Sequence, residues 1–464
     1  MTPPRSPAPA AGADTPEQVH LPGPLRGLPD RLRHRAARVA IVGLGYVGLP
    51  EAVMFAQAGF PVTGFDLDAE RVDRVNAGAS YIPDVPSAAL AALVETGRLR
   101  AARMPRPGES AAPVSEQDAL CVCVPTPLRK TRDPDISYIV GAAQALRAGL
   151  RPGQLVILES TTYPGTTDEV VQPILESGGL RAGRDFALAF SPERVNPGDR
   201  DHPPASIPKV VGGLTPACTL LARLLYGEVV TAVLPVSSAR AAEMVKLLEN
   251  TFRSVNIGLV NELALMCHTF GLDVWEIIRA AASKPFGFMP FYPGPGLGGH
   301  CIPVDPVYLA WKARAQGFEP RFIELASQVN AAMPHHVVTR VADALNQRRK
   351  SINGSRILAL GVAYKANVGD TRESPALEIL ELLHARGADL SYADPHVPTV
   401  RLGSHVLKAT SLDAAACAAQ DCVLILTDHA AVDYTLVAAH APLVVDTRNA
   451  LSGVPAPRAH IVTL

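Results

Sequence analysis

The sequence carries almost no net charge: 43 Lys and Arg set against 44 Asp and Glu leave a formal charge of −1. Neither a nucleic acid nor an anionic membrane surface is therefore an expected partner. Cysteine is scarce and irregular, with seven residues and no CxxC pair. That pattern argues against a disulfide framework and against a structural zinc site, and for a reducing compartment. No apolar run reaches the length needed to span a bilayer. The N-terminus, MTPPRSPAPAAGADTPEQ, is rich in Pro and Ala and lacks the apolar core of a secretory signal. The expectations are a cytoplasmic protein without a metal site, preceded by a disordered leader over residues 1–35.

What is present points to a folded enzyme-sized chain. At 464 residues, 48% hydrophobic and 19% charged, it exceeds a single core, and two or three domains are expected. RVAIVGLGYVGLPEAVMFAQAGFPVTGFDLD, residues 38–68, reads as strand, glycine-punctuated turn, helix and second strand. Further buried-strand candidates are ALCVCVP (119–125), QLVILES (154–160) and FALAFSP (186–192). From Ser237 a long amphipathic helix is expected, with Ser237 or Ser238 as N-cap and Gly271 as its stop. A second α/β unit starts near Ser355 with RILALGVAY, followed by a helical stretch and by CVLILTDH (422–429) and LVVDTRN (443–449). Its first turn carries Gly361 but no GxGxxG. The fold class is thus α/β: two Rossmann-like doubly wound domains, 36–235 and 336–464, joined by a helical connector over 236–335.

Several motifs carry chemistry. Gly43, Gly45 and Gly48 have the GxGxxG spacing between a strand and a helix, and Asp66 ends the next strand. The first glycine makes the turn, the second admits a pyrophosphate and the third lets the helix pack on the strand. Asp66, set to accept the ribose 2′-hydroxyl, favours NAD over NADP. Arg71 lies along the adenosine or simply starts a helix in solvent; both readings stand. Cys121 and Cys123 read as core thiols. ESTTYPGTT (159–167) leaves a strand bearing hydroxyls at Ser160, Thr161, Thr162, Thr166 and Thr167, either facing a ligand or capping the next helix. SPERVNPGD (191–199) leaves another, with Glu193, Arg194 and Asn196 expected to be exposed. Lys246 and Asn250, four apart, share a face of the long helix with Arg253 nearby, while Leu247, Leu248, Val255 and Leu259 are expected to pack. GPGLGGHCIPVDP (294–306) sets Cys301 beside glycines that suit a close backbone approach to a ligand.

Together, GLGYVGLP, ESTTYPGTT, SPERVNPGD, KLLENTFRSVNIGLVNE, GPGLGGHCIPVDP and GVAYKANVGDTRESPALEIL resemble the UDP-sugar 6-dehydrogenase family from about Arg38 onward. KPFGFMPFYPGPGLGGHCIPVDP resembles the branch acting on UDP-N-acetyl-D-glucosamine. UDP-glucose enzymes have a small residue in place of His300 and a lysine in place of Val304. The resemblance implies Cys301 as nucleophile, with Lys246, Asn250, Asp305, Glu193 and Thr161 positioning the reacting centre or handling protons and water. It implies NAD held by Gly43, Gly45, Tyr46, Val47, Gly48, Asp66, Arg71, Thr126 and Arg372. The UDP-sugar would meet Arg194, Lys246, Asn250, Gly298, Gly299, Lys365 and Arg448. Lys284 departs from the arginine of the UDP-glucose enzymes, and no role is carried over to it. A homodimer is the family's default. Rival readings are a UDP-glucose or UDP-N-acetylmannosamine substrate, a Cys-dependent hydrolase, and a silent NAD-binding protein.

Overall fold

A computed structural model describes residues 19–106, 109–129, 131–195, 203–299, 301–455 and 457–464. The chain forms two compact units, one running to Glu249 with Val307–Gln316 added, the other comprising Asn250–Pro306 and Gly317–Leu464. The long helix expected after Ser237 is present as Ala239–Phe270, and the division between units falls within it. Ser238 caps it, its Oγ accepting from Ala241 N at 3.2 Å, and Gly271 ends it at φ +71°.

The first unit is built on an eight-stranded sheet. Its strands are β1 (Val39–Val42), β2 (Val62–Asp66), β3 (Leu99–Arg103), β4 (Ala119–Val122), β5 (Leu155–Leu158), β6 (Ala187–Phe190), β7 (Lys209–Gly213) and β8 (Val233–Pro235). Their spatial order is 3-2-1-4-5-6-7-8, parallel throughout except where β7 runs against β6. Strands β1, β4, β5 and β6 are buried along their whole length, which is why they read as continuous Val, Ile, Leu and Ala runs without alternation. The order reverses between β1 and β4, so the first turn after β1 opens at a switch point, where ligands of such sheets sit.

The second unit repeats the plan on a smaller scale. After β9 (Arg356–Leu360) and β10 (Asp389–Ala393) come a two-stranded hairpin, β11 (Thr399–Leu402) and β12 (His405–Lys408), then β13 (Cys422–Ile425), β14 (Leu443–Asp446) and β15 (His460–Thr463). The main sheet has the order 10-9-13-14-15 and is wholly parallel.

Two expectations need correction. Residues 23–33 do not belong to a disordered leader: Gly23–Leu25 and Leu28–Arg33 are helical, and Leu25, Leu28 and Leu32 are fully buried in the core of the first unit with Tyr226 and Phe55. Composition misleads there because the apolar residues sit among Pro, Gly and Arg. Nor do Leu248 and Leu259 pack: they are 58% and 53% exposed, on a face of the long helix shared with Met244, Phe252, Leu263, Met266 and Phe270. Among the described residues, no helix is long and apolar enough to cross a membrane. Leu32→Ala should cost about 2–5 kcal/mol, as deletion of a buried leucine does. Denaturant unfolding of the full chain checks this, and an unchanged midpoint would place the N-terminal helix outside the cooperative core.

Candidate active site

The glycine turn after β1 is fixed by close contacts. Gly43 has φ +98°, and a Cβ there would lie 2.7 Å from the Cys123 carbonyl oxygen. A Cβ on Gly48 would come within 1.9 Å of the Gly43 carbonyl oxygen, so helix and turn touch backbone to backbone. At Gly45 a Cβ would meet nothing within 4 Å. The turn therefore leaves open space at the one glycine whose role is to admit a ligand. Asp66 Oδ2 accepts from Leu44 N at 2.8 Å and Oδ1 from Asp68 N at 2.9 Å. A carboxylate has about four lone-pair positions, so acceptor capacity remains for a ribose hydroxyl. Arg71 is not simply solvated: it lies 3.5 Å from Asp66 and 3.6 Å from Asp68. Tyr46 is 52% exposed beside the turn and Val47 half-buried. Thr126 follows β4, and its carbonyl accepts from the Tyr308 hydroxyl. These residues fit a dinucleotide.

The hydroxyl loop after β5 resolves in favour of internal bonds for four of its five hydroxyls. Ser160 Oγ donates to Val122 O at 3.2 Å, Thr162 and Thr166 share a 2.6 Å bond, and Thr167 Oγ1 donates to Glu243 Oε1 at 2.6 Å. Glu243, on the long helix, also accepts from Gly165 N and Thr167 N. Burial pushes the Glu243 carboxyl up to about 7 against those donors. Thr161 is left half-buried. The segment Thr166–Val171 is a π-helical turn, a form that recurs at functional sites.

Glu193 is not exposed as its flanking prolines suggested. Its side chain is 14% accessible, and Oε1 accepts from Arg194 N at 2.7 Å and Val195 N at 2.6 Å. Oε2 accepts from Lys209 Nζ at 3.1 Å. Burial opposes its charge, but Lys209 and then Lys246 hold it below the usual carboxylate range. The Arg194 guanidinium is turned to Glu249, at 2.6 Å, and to the Pro208 carbonyl. Asn196 and His300 lie outside the described residues.

Lys209 was missed in the sequence. It is buried with Glu159 at 2.6 Å and Glu51 at 3.9 Å besides Glu193. The Tyr226 hydroxyl donates to Glu159 Oε1, and Cys123 Sγ donates to Glu51 Oε2 at 3.2 Å. The signal was legible: a charged residue in each of three apolar runs, LPEAVM, VILES and PKVVGG. Ligand atoms of Glu51, Cys121 and Glu159 lie within 4.8 Å of one another, but both oxygens of Glu159 are taken by the Lys209 ammonium and the Tyr226 hydroxyl.

In the second unit, Cys301 is the exposed member of the seven cysteines, the other six being buried. Its carbonyl accepts from Asp305 N at 2.8 Å, starting the helix Asp305–Ala315. Asp305 is 2% exposed and accepts from Asn250 Nδ2 at 2.6 Å. The glycines of this loop admit the chain's own side chains. A Cβ on Gly299 (φ +84°) or on Gly298 would lie 2.7 Å from Tyr364, and one on Gly294 would lie 2.6 Å from Arg448 Nη1. Burial and then Asp370 and Cys301 raise the Tyr364 hydroxyl above its ordinary value. Arg448 Nε donates to the Leu426 carbonyl at 2.9 Å. Burial lowers its guanidinium below the ordinary range despite Asp428 and Asp446. Lys365 lies half-buried in the turn after β9, and Arg372 pairs with Asp370 at the loop's end. Lys284 sits over the Phe286 ring at 5.0 Å.

That turn after β9 repeats the first unit's clamp with a different filling. Asp394, just after β10, accepts from Val362 N at 2.8 Å and His396 N at 2.8 Å. Here the fully buried His429 bridges Asp394 (3.1 Å) and Asn367 N (3.0 Å). The buried imidazole takes the carboxylate oxygen that, on Asp66, faces the partly exposed Arg71 at 3.5 Å. Burial opposes ionisation of Asp394, but His429 and the backbone N–H groups lower it below its usual range.

Comparison with known proteins agrees with this layout. Models of the UDP-glucose/GDP-mannose dehydrogenase family match the NAD binding domain at residues 37–230, the central domain at 240–332 and the UDP binding domain at 358–453. A UDP-N-acetyl-D-glucosamine 6-dehydrogenase of Pseudomonas aeruginosa is 38% identical over 365 residues, covering 78% of this chain and 83% of that one. An NDP-N-acetyl-D-galactosaminuronic acid dehydrogenase of Ralstonia nicotianae is 37% identical over 410 residues, covering 84% and 90%. The solved structure of a UDP-D-ManNAc dehydrogenase from Pyrococcus horikoshii superposes with a TM-score of 0.82 at 33% identity, covering 92% and 98%.

The glycine contacts make two substitutions separable. Gly48→Ala should lower the thermal midpoint, because its Cβ collides with backbone that cannot move aside. Gly45→Ala should leave the midpoint unchanged and weaken NAD binding, read by titration of the intrinsic fluorescence or by calorimetry. Equal effects on stability from both would contradict the open space at Gly45.

Proposed function

The chain belongs to the UDP-glucose/GDP-mannose dehydrogenase family, and we propose that its substrate is a UDP-N-acetylhexosamine, with UDP-N-acetylglucosamine first. It is an NAD-dependent UDP-sugar dehydrogenase; the proposal concerns which sugar and which residues. The P. aeruginosa relative supports the N-acetylglucosamine reading, and the GGHC block, shared with the N-acetylmannosamine branch, argues against UDP-glucose. UDP-N-acetylmannosamine and UDP-glucose are the alternatives. The product would be a uronic acid for a surface polysaccharide, made in the cytoplasm, a placement in keeping with six buried thiols.

The observation that carries the catalytic reading is the exposure of Cys301 where the other six thiols are buried. NAD, when held by the β1 turn and Asp66, would supply the hydride acceptor for the sugar's C6 at each of two oxidation levels. Between them the Cys301 thiolate adds to the C6 aldehyde, forming a thiohemiacetal whose carbon again bears hydrogen. Its oxidation leaves a thioester on Cys301, and water cleaves it to the carboxylate and the free thiol. Covalent capture divides one difficult oxidation into easier steps and retains the aldehyde. Lys246 and Asn250 are assigned to the developing oxyanion, Asp305 to holding Asn250, and Glu193 with Thr161 to proton transfer and water. Arg448 is suited to the diphosphate, since a bound anion would offset the cost of burying its charge. Lys365, Arg194, Gly298 and Gly299 complete the substrate set, and Arg372 joins the cofactor set. The exposed apolar face of the long helix supports a homodimer.

Purified enzyme given a panel of UDP-sugars should form two NADH per uronic acid, fastest with UDP-N-acetylglucosamine. A preference for UDP-glucose would refute the branch while leaving the reaction class intact. Cys301→Ala should lower turnover by orders of magnitude at near-normal substrate affinity. Cys301→Ser should instead accumulate a sugar adduct visible by intact mass. Near-normal uronic acid production by the alanine variant would remove Cys301 from the mechanism.

A further inference from the structure

We propose that Lys209, through its buried ammonium, is the positioning residue that orients the Glu193 carboxylate for proton transfer; this rests on the proposed role of Glu193 as a base. Lys209 begins β7, and its side chain is 8% accessible. A lone ammonium so placed would cost several kcal/mol, so its partners are obligatory. They are unequal. Glu159 is the inner partner: its side chain is wholly inaccessible, at 2.6 Å from Nζ, with its other oxygen taken by the Tyr226 hydroxyl. The Tyr226 ring itself lies 4.9 Å from Nζ. Glu51 stands at 3.9 Å. Burial, then Glu159, raises its carboxyl well above the ordinary range. Glu193 is the outer partner at 3.1 Å, and the one with an edge toward solvent.

The arrangement leaves Glu193 little freedom. Its Oε1 is held by two backbone N–H groups of its own loop and its Oε2 by Lys209. Rotation of the carboxylate would break bonds on both oxygens at once. The charges facing it are Lys209 from β7 and Lys246 from the long helix, with Glu159 and Glu51 behind Lys209; the neighbouring Arg194 is engaged by Glu249. Cys121 and Cys123, also nearby, are pushed up by burial and then by Glu51, and are neutral thiols. Burial and the Lys209–carboxylate attractions act in opposite senses on the ammonium, and the carboxylates win, raising it well above the lysine range. Lys209 therefore stays charged across the working pH of the enzyme. A cation adjacent to a carboxylate stabilises its anion, so removal of Lys209 should raise the pH at which Glu193 becomes a base.

The test is the pH dependence of kcat for uronic acid release by the full-length enzyme at saturating UDP-sugar and NAD. Lys209→Met should move the acid limb upward by about 1–3 pH units, the range of an adjacent cation's effect on a carboxylate. Lys209→Arg should restore it. An unmoved limb in Lys209→Met, even with reduced stability, would reduce Lys209 to a structural residue and overturn the proposal. If the methionine variant does not fold, Glu159→Gln decides. It removes the anion that competes for the ammonium, so the limb should move to lower pH; no shift, or an upward one, is again contrary. Glu193→Gln separates the two levels of the reading. Loss of kcat there, combined with an unmoved limb in the Lys209 variants, refutes only the positioning role. Near-normal kcat refutes Glu193 as base, and the positioning role with it.

Discussion

Each unit depends on a carboxylate at the end of a strand accepting the N–H of the residue that follows the first-turn glycine. Asp66 does this for Leu44, and Asp394 for Val362, both at 2.8 Å. The bond fixes how the turn leaves the strand, and so where the next helix points and where backbone N–H groups face outward. A buried carboxylate is tolerated only with donors around it. Both aspartates have backbone donors, which makes the clamp independent of any ligand. What differs is the remaining edge. On Asp66 the partly exposed Arg71 stands at that edge, 3.5 Å away, beside a second glycine with empty space above, whereas Asp394 gives it to the fully buried His429. One plan thus serves two ends: an open dinucleotide turn, and a turn locked in place that carries Tyr364 to Gly298 and Gly299.

Much of this was legible in the sequence, and for a physical reason. Strands buried on both faces are mostly apolar, so β1, β4, β5, β6 and β13 show as short unbroken runs. The GxGxxG turn showed because its geometry permits no Cβ at two of its three glycines. The apolar face of the long helix was misread for the converse reason. Periodicity identifies a face that avoids water, but not what covers it, and Leu248 and Leu259 are uncovered in this chain. Residues 23–33 were lost among prolines, because three leucines spaced along two short helical turns lack a period long enough to register.

Side-chain networks were the least legible feature. Glu51, Glu159, Glu193 and Lys209 come from four separate segments, and no local pattern joins them. Glu51, Glu159 and Lys209 were nevertheless anomalous where they stood, each a charge inside an apolar run. Because an unpaired buried charge is so costly, such residues imply partners even when the partners cannot be named. The hydroxyls of 160–167 left two readings open, facing a ligand or internal capping, and four of the five are consumed in tying that loop to β4, to itself and to Glu243.

The same reasoning separates the thiols. Six cysteines are buried, and for Cys121, Cys123, Cys417 and Cys422 burial is the largest influence and raises the thiol. A thiol so raised is protonated near neutrality and a poor nucleophile. Cys301 stands instead at an exposed position just before the helix Asp305–Ala315, whose first backbone N–H bonds the cysteine's own carbonyl. Its side chain is accessible while its backbone is anchored. Gly298 and Gly299 hold that anchor against Tyr364, at separations no Cβ would allow. The glycines beside the thiol are thus required before any sugar arrives: they let the turn after β9 press against the loop and fix the place from which Cys301 acts.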